Sequence, residues 1–478
     1  METRSQGGGV DIREIIVLVL IGAGLWECFL GWAQLLGFMP SRHALYPATG
    51  TFFNPGPFCG FLAMLVPLAF YRAVVIKKGL AHWVSLLYLV TAVGIMPALM
   101  GRTGWIAATV GCGVVAFGSG WLRRPRVSVI VAALAVVSGA LVFMLYLKPA
   151  SALGRLFLWR VGLSALASHP LSGVGWSGVP GALGNAQEAY FHTCPDSVFA
   201  QVAGSPGYAF NEFIQVGIAF GIPVMLLFIG LVAVSAWNAL RASNYGVAGS
   251  IVAFAVVCFS SYPLQFPEFI AAAGLLVLLV LLSVASYCPL GRCFRLAVCV
   301  LVCAGTAAAC IALDNRAGRS DSWAHQRYAY QRPLDSDDVL ALDSLAAVYG
   351  NCPEFLFDYG KALRQSGLYC KSTAVLMRGV EVSSDPMFLN LIGRNCHDTG
   401  SYEEAEYYFR RSIDRLPKRM YPYYLLALLY ADPAVSDTAR FEQMHEAAIA
   451  LEPKVMSPAI RQMRHELDSA HRRLFRQL

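Results

Sequence analysis

The chain has 478 residues, of which 56% are hydrophobic and 14% are charged, and its formal net charge is +7. Its mean hydropathy of +0.53 is too high for a soluble domain of this length, which excludes a wholly soluble protein. Charged residues are sparse up to about Leu313 and frequent after it. The composition therefore predicts a membrane-embedded region followed by a water-exposed one.

Apolar runs of roughly 17 to 25 residues, long enough to cross a hydrocarbon core, occur about nine times before residue 314. The predicted spans are Ile15–Phe38, Phe58–Val75, Trp83–Met100, Trp105–Trp121, Val127–Leu147, Phe213–Trp237, Val247–Tyr262, Phe269–Tyr287 and Leu296–Leu313. The sequence thus predicts an all-α fold in which residues 1–314 form a polytopic transmembrane helical bundle. One loop, 148–209, is much longer than the other connections, and long structured loops in such proteins commonly carry function.

Basic residues in the short connections predict the orientation of the spans. One set of loops and the N-terminal tail carry Arg4, Arg13, Arg72, Lys77, Lys78, Arg123, Arg124, Arg126, Arg241, Arg292 and Arg295. The alternate loops carry only Arg42, Arg102, Lys148, Arg155 and Arg160. Because cytoplasmic loops are rich in lysine and arginine, the N-terminus is predicted to be cytoplasmic, and the long loop and C-terminal region to lie outside.

The C-terminal region is predicted to contain a linker, 315–335, and a domain of α-helical repeats, 336–478. Residues Pro353 to Pro386 have the layout of a helical hairpin with a turn at Gly367, and the layout returns around Gly400 with a closing Pro417. The spacing averages near the period of about 34 residues that is typical of tetratricopeptide repeats. Such a domain is either a structural lid or a docking surface for a protein partner.

Three arginines on the outer side are candidate anion-binding residues. Arg102 lies in a very short turn, Gly101–Trp105, where it either reaches the lipid headgroups or binds phosphate oxygens. Arg155 and Arg160 lie on a predicted amphipathic helix, Leu153–Ala167, and their spacing does not place them on one face. We therefore expect one of them to serve a site and the other to face water.

Polar residues at the mouth of the sixth span are candidates for acid–base chemistry. Asn211 and Glu212 suit a helix start, where asparagine caps and glutamate favours the positive end of the helix dipole. A carboxylate in this place is equally a candidate general base or acceptor-positioning group. Glu268 occupies a similar place, whereas Glu27 lies deep in the first span and is not expected to take part in chemistry.

The order of several short motifs resembles the O-antigen ligase and polymerase superfamily, in the form, typical of Bacteroidetes, that carries a tetratricopeptide-like tail. The motifs are Thr49–Ala63, Gly101–Trp105, Gly154–Arg155 with Trp159, His169–Gly175, Asn211–Gln215, Gly221–Pro223, Tyr421–Leu426 and Lys454–Ala459. Relatives generally carry several spans before the segment around Asn54, and this chain carries one, so we expect a truncated or misannotated start.

The resemblance implies an inverting membrane glycosyltransferase that needs neither metal nor cofactor and works at the periplasmic face of the bacterial inner membrane. Its donor would be a glycan linked to undecaprenyl pyrophosphate. Its acceptor would be a hydroxyl of lipid A core, of a growing glycan or of a protein. Membrane lipid surrounds such an enzyme, and no nucleic acid partner is expected.

The resemblance also implies roles for individual residues. Arg102 and Arg155 match family arginines that hold the pyrophosphate, and Arg160 matches a position that is variably basic. Ligases commonly have a histidine before the asparagine of the sixth span, and this chain has Phe210. Phenylalanine cannot transfer a proton, so Glu212 or another group takes that part, or leaving-group stabilisation suffices, or the protein is not a ligase in the usual sense.

Three functions therefore stay open at the level of the sequence. The first is a ligase or related transferase that moves a lipid-linked glycan to an acceptor. The second is a polymerase that extends the glycan on its lipid carrier. The third is a non-catalytic assembly factor whose tail binds other envelope proteins, and Phe210 and the short N-terminus favour it.

Overall fold

The computed structural model describes residues 11–121, 149–284, 292–329, 336–452 and 456–475. Every regular element in these ranges is helical and none is a strand, which confirms the predicted all-α, polytopic class. The chain divides into two compact units. The first unit consists of Met1–Lys148, Phe210–Phe213 and Met225–Arg316, and the second consists of Pro149–Ala209, Ile214–Val224 and Ala317–Leu478.

The helices are numbered here in chain order. The α-helices are α1 (Ile12–Leu35), α2 (Pro55–Phe70), α3 (Gly79–Leu99), α4 (Arg102–Gly118), α5 (Pro149–Ser168), α6 (Val179–Thr193), α7 (Glu212–Phe220), α8 (Ile222–Arg241), α9 (Tyr245–Ser260), α10 (Pro267–Val284), α11 (Arg292–Ala329), α12 (Val339–Tyr349), α13 (Pro353–Gln365), α14 (Tyr369–Val382), α15 (Met387–Asp398), α16 (Tyr402–Arg415), α17 (Met420–Tyr430), α18 (Thr438–Ala450) and α19 (Pro458–Phe475). Short 3₁₀ turns lie at Trp176–Gly178, Val198–Gln201, Pro263–Gln265 and Ser336–Asp338, and a π-helical turn, Tyr71–Ile76, extends α2.

Six of the described helices are long and apolar enough to cross a membrane. They are Ile12–Leu35, Pro55–Ile76, Gly79–Leu99, Ile222–Arg241, Pro267–Val284 and Ala297–Asn315. Helix α4, with 17 residues, and helix α9, with 16 residues, lie where the fourth and seventh spans were predicted. The predicted fifth span, Val127–Leu147, lies outside the described residues. The chain is therefore a multi-pass membrane protein.

Helix α2 lies at the centre of the first unit. Asn54 caps its start, because its side chain accepts a hydrogen bond of 2.9 Å from the Gly56 N–H. Phe58 and Leu62 are fully buried, and α2 packs against α1, α3, α4 and α9. Helix α8 is the opposite case, with side chains such as Leu227 largely exposed. An exposed apolar helix of this length is suited to contact with lipid.

The second unit contains three successive helical hairpins, α13–α14, α15–α16 and α17–α18, followed by α19. In the first hairpin Gly360 faces the side chain of Leu376, and in the second Gly393 faces the ring of Phe409. The same number of residues separates Gly360 from Gly393 and Leu376 from Phe409, so the helices of the two hairpins pack together in the same way. The hairpins share one continuous hydrophobic core.

The structure differs from the prediction of a continuous sixth span, Phe213–Trp237, because the chain breaks between α7 and α8 at Gly221. Gly221 has φ of +87°, and a Cβ there would lie 2.1 Å from the carbonyl oxygen of Leu171. The Ile222 N–H donates to the carbonyl of Pro170 at 2.7 Å, outside its own helix. The long membrane helix therefore begins at Ile222, and α7 is a separate short helix.

Candidate active site

The connection between α9 and α10, residues 261–266, meets several candidate residues of the first unit. Its Leu264 N–H donates to Oε1 of Glu212 at 2.8 Å. The ring of its Tyr262 packs edge-on against Phe210, with centroids 5.0 Å apart. The hydroxyl of Ser260, at the end of α9, lies 2.9 Å from that of Thr103 in α4. The connection thus contacts the start of α7, and the adjoining end of α9 contacts the start of α4.

Glu212 is the first residue of α7, and its side chain is fully buried. Oε1 accepts the hydrogen bond from Leu264, but Oε2 has no hydrogen-bond partner within the described part of the chain. Glu212 lies outside the six membrane-crossing helices. Burial raises the pKa of its carboxyl to about 8, and the hydrogen bond from Leu264 lowers it by a smaller amount. A carboxyl of this kind can exchange a proton near neutral pH.

Phe210 and Asn211 directly precede this helix, and Phe210 has an unusual backbone geometry. Asn211 is 4% exposed and stands directly before α7. Phe210 has φ of +51°, in the left-handed region that bulky residues rarely adopt. Adopting this conformation costs roughly 1–3 kcal/mol. Strained backbone of this kind clusters at functional sites. Phenylalanine therefore occupies a constrained position directly beside the candidate base.

Arg102 is the first residue of α4 and is half-buried. The turn that precedes it is held against α2, since the Cys59 thiol lies 3.4 Å from the carbonyl oxygen of Gly101. The neighbouring Thr103 joins the same turn to Ser260. A guanidinium at a helix N-terminus combines two features that favour a bound anion, a fixed positive charge and the positive end of the helix dipole.

A pair of acidic side chains, Glu27 and Glu268, approaches the hydroxyl of Thr51, which the sequence did not predict. Glu27 accepts hydrogen bonds from the hydroxyl of Thr51 at 2.7 Å and from its N–H at 3.0 Å. The same hydroxyl lies 3.3 Å from Oε1 of Glu268, although it has only one proton to donate. Oε2 of Glu268 and Nε2 of Gln265 are buried without a hydrogen-bond partner in the described ranges. The hydroxyl of Thr51 therefore lies between two acidic side chains, Glu27 of α1 and Glu268 of α10.

The two loop arginines lie on α5 in the second unit. Arg155 is half-buried and Arg160 is exposed. The guanidinium of Arg160 lies over the ring of Tyr190, 4.9 Å from its centroid, in a cation–π contact. The third predicted arginine, Arg102, and the pair Asn211 and Glu212 belong to the first unit.

The segment His169–Gly175 acts through its backbone. The N–H of Val174 donates to the carbonyl of Ile218 at 3.0 Å, and the N–H of Gly175 donates to that of Ala219 at 2.8 Å. These carbonyls belong to the last turn of α7, which has no intrahelical donors for them. The His169 side chain is exposed. The motif therefore caps α7 and helps to set where that helix ends.

A comparison with protein-family models matches residues 86–229 to the family described as O-antigen ligase. The matched segment runs from α3 into α8 and contains every predicted site residue, namely Arg102, Arg155, Arg160, Asn211 and Glu212. No curated protein matches the chain. The fold and the site thus define a multi-pass, all-α membrane protein. The match over residues 86–229 supports a membrane protein of the O-antigen ligase and polymerase superfamily.

Proposed function

We propose that the protein transfers a glycan from undecaprenyl pyrophosphate to an acceptor hydroxyl at the periplasmic face of the bacterial inner membrane. The observation that carries this proposal is the match of residues 86–229 to the O-antigen ligase family, since that segment holds the arginines and the carboxyl that the chemistry needs. The buried, half-satisfied carboxyl of Glu212 supports it further.

In this reaction the acceptor oxygen attacks the anomeric carbon of the donor sugar. The bond between that carbon and the pyrophosphate oxygen breaks, and the leaving pyrophosphate takes the electron pair. Arg102 and Arg155 each bind the leaving group, whose negative charge grows in the transition state. Arg160, which is also on α5, adds a further positive charge. Stabilising developing charge with fixed cations is commonly the largest catalytic contribution, of about 10² to 10³ in rate for one donor.

The proton of the acceptor hydroxyl passes to the carboxylate of Glu212, and Asn211 orients the acceptor. Glu212 takes the part that a histidine has in ligases, because Phe210 cannot accept a proton. A base with a pKa of about 8 is well matched to this task, since the most effective catalytic pKa lies near the working pH.

The placement of the long loop and the repeats supports the periplasmic assignment. Helix α6 of the loop packs against α14 and α16 of the repeats within the second unit. Two segments that pack together lie on the same side of a membrane, and the positive-inside rule places the loop outside. The C-terminal repeat region, residues 336–478, is therefore assigned to the periplasm with the loop, and the N-terminus to the cytoplasm.

A glycan and lipid-carrier profile of a deletion strain tests this function against its alternatives. For a ligase we expect long chains that stay on the lipid carrier and an acceptor without glycan. Single repeat units on the acceptor would instead identify a polymerase. Unaltered glycans would contradict both transfer reactions and favour the assembly factor.

A further inference from the structure

Helix α6 lies in the second unit beside α5, the helix that carries Arg155 and Arg160. The ring of Phe157 on α5 is buried and packs against Tyr190 and Phe191 on α6, with centroids 5.2 Å apart in both pairs. The guanidinium of Arg160 on α5 also lies over the Tyr190 ring. A movement of α6 therefore displaces the groups against which the arginine-bearing helix is packed.

A buried ion-pair network joins α6 to the repeat helix α16. Glu188 on α6 accepts hydrogen bonds from Nε of Arg411 at 2.5 Å and from Nη2 of Arg415 at 2.9 Å. Nη2 of Arg415 also donates to Oδ1 of Asn185 at 2.5 Å. Arg415 is fully buried, so Glu188 is the carboxylate that offsets the desolvation of this guanidinium. Removing one partner of such a pair leaves an uncompensated buried charge.

Close backbone packing makes this interface specific. The side chain of Gln187 donates to the carbonyl of Arg415 at 2.6 Å and to that of Gly204 at 3.0 Å. A Cβ at Gly181 would lie 2.0 Å from the carbonyl oxygen of Glu381 at the end of α14. Helix α6 therefore fits the repeats at contact distance, with polar groups matched across the interface.

We propose that Glu188, Arg411 and Arg415 are positioning residues through which the repeat helices hold α6, and with it the arginine-bearing helix α5. In this view the C-terminal repeats are an internal brace for the loop arginines. The inference rests on the proposed function only in assigning donor binding to those arginines, since the mechanical link within the second unit does not depend on the reaction.

Helix α16, which carries Arg411 and Arg415, also offers a control residue. Glu406 of α16 also pairs with two arginines, with Nε of Arg410 at 2.8 Å and with Nη1 of Arg440 at 3.1 Å. These partners belong to the repeats and not to α6. Glu188→Gln and Glu406→Gln therefore each remove one negative charge from a carboxylate that pairs with two arginines, although the Glu188 cluster is the more buried. Only the first change loosens α6.

The test uses the full chain in detergent or lipid nanodiscs. Amide hydrogen exchange across Leu153–Ala167 should become faster by about threefold or more in Glu188→Gln and stay at the wild-type rate in Glu406→Gln. Arg411→Gln leaves Glu188 paired with Arg415, so it should also speed the exchange of α5, but by a smaller factor. This variant replaces Glu188→Gln in the test if Glu188→Gln does not fold. Equal exchange of α5 in Glu188→Gln and Glu406→Gln would overturn the proposal.

Transfer kinetics separate positioning from general destabilisation. If α5 is held in place only part of the time, the KM for the lipid-linked donor rises, by about fivefold for one-fifth occupancy, while kcat changes little. Loss of folded protein instead lowers the apparent kcat at constant KM, and that result would contradict positioning. Absence of transfer by the wild-type protein would contradict the proposed function, and the exchange rates would then decide the brace by themselves.

Discussion

Replacing Glu212 by glutamine tests the protonation of the buried carboxyl beside the α9–α10 connection. Burial raises its pKa from 4.5 to about 8. At pH 7 roughly ten molecules then carry the protonated carboxyl for each one that carries the carboxylate. Glutamine has nearly the same shape as the neutral acid and can accept the same hydrogen bond from Leu264. We therefore expect Glu212→Gln to fold and to lose one titration.

The change in stability with pH follows from the sign of this pKa shift. Because the folded-state pKa lies above the unfolded value, the folded protein binds more protons between pH 4.5 and about 8. The stabilisation is fully present below the unfolded value and is lost as the pH rises through that window. The free energy of unfolding falls across it by at most roughly 5 kcal/mol. Glu212→Gln should lack this decline.

Infrared difference spectra of the protein in detergent report the C=O stretch of a protonated carboxyl directly. We expect the wild-type protein to lose one such band with a midpoint near pH 8, and Glu212→Gln to lack that band. Glu442→Gln, at a half-exposed carboxyl of α18, is the control and should keep it. Under the proposed function the transfer rate rises with the same midpoint in the wild type. A titration midpoint near 4.5, or an unchanged band in Glu212→Gln, would refute the reasoning.

Two further substitutions test the geometry around the site. Thr51→Val removes the hydroxyl that donates a hydrogen bond of 2.7 Å to Glu27, so we expect the free energy of unfolding, measured by thermal denaturation, to fall by about 1–3 kcal/mol. Thr51→Ser keeps the hydroxyl and should unfold like the wild type. Equal melting of these two variants would show that the hydroxyl contributes nothing. Gly221→Ala places a methyl group 2.1 Å from the carbonyl oxygen of Leu171, so we expect a lower yield of folded protein in fluorescence-detected size exclusion. Gly230→Ala, which meets no heavy atom within 4 Å, is the control, and equal yields would contradict a rigid break.

The membrane helices were largely predictable because the physical requirement is local. A helix must supply roughly 20 consecutive apolar residues to cross a bilayer, and such runs are visible in the sequence itself. The start of α2 at Asn54 and Pro55 follows local capping rules in the same way. The break at Gly221 also has a local signal, glycine followed closely by Pro223, but the hydrophobic run around it masked that signal.

The polar contacts of the site were not predictable, since they join residues far apart in the sequence. Nothing near Glu27 indicates that Thr51 will present its hydroxyl there, or that Glu268 will approach the same group. The pairing of Glu188 with Arg411 likewise depends on how the loop packs against the repeats. Hydrophobic periodicity specifies which face of a helix is buried, but not which distant polar groups meet on it.

The most direct test of the central claim is glycan transfer by purified protein in lipid vesicles, with an undecaprenyl-pyrophosphate-linked glycan as donor and a sugar acceptor. We expect Arg102→Ala and Arg155→Ala each to lower the rate by about 10² or more while the protein still inserts in the membrane. Arg241→Ala, at the far end of α8 where the guanidinium lies over Trp237, should transfer like the wild type. Wild-type rates in both Arg102→Ala and Arg155→Ala would contradict the account.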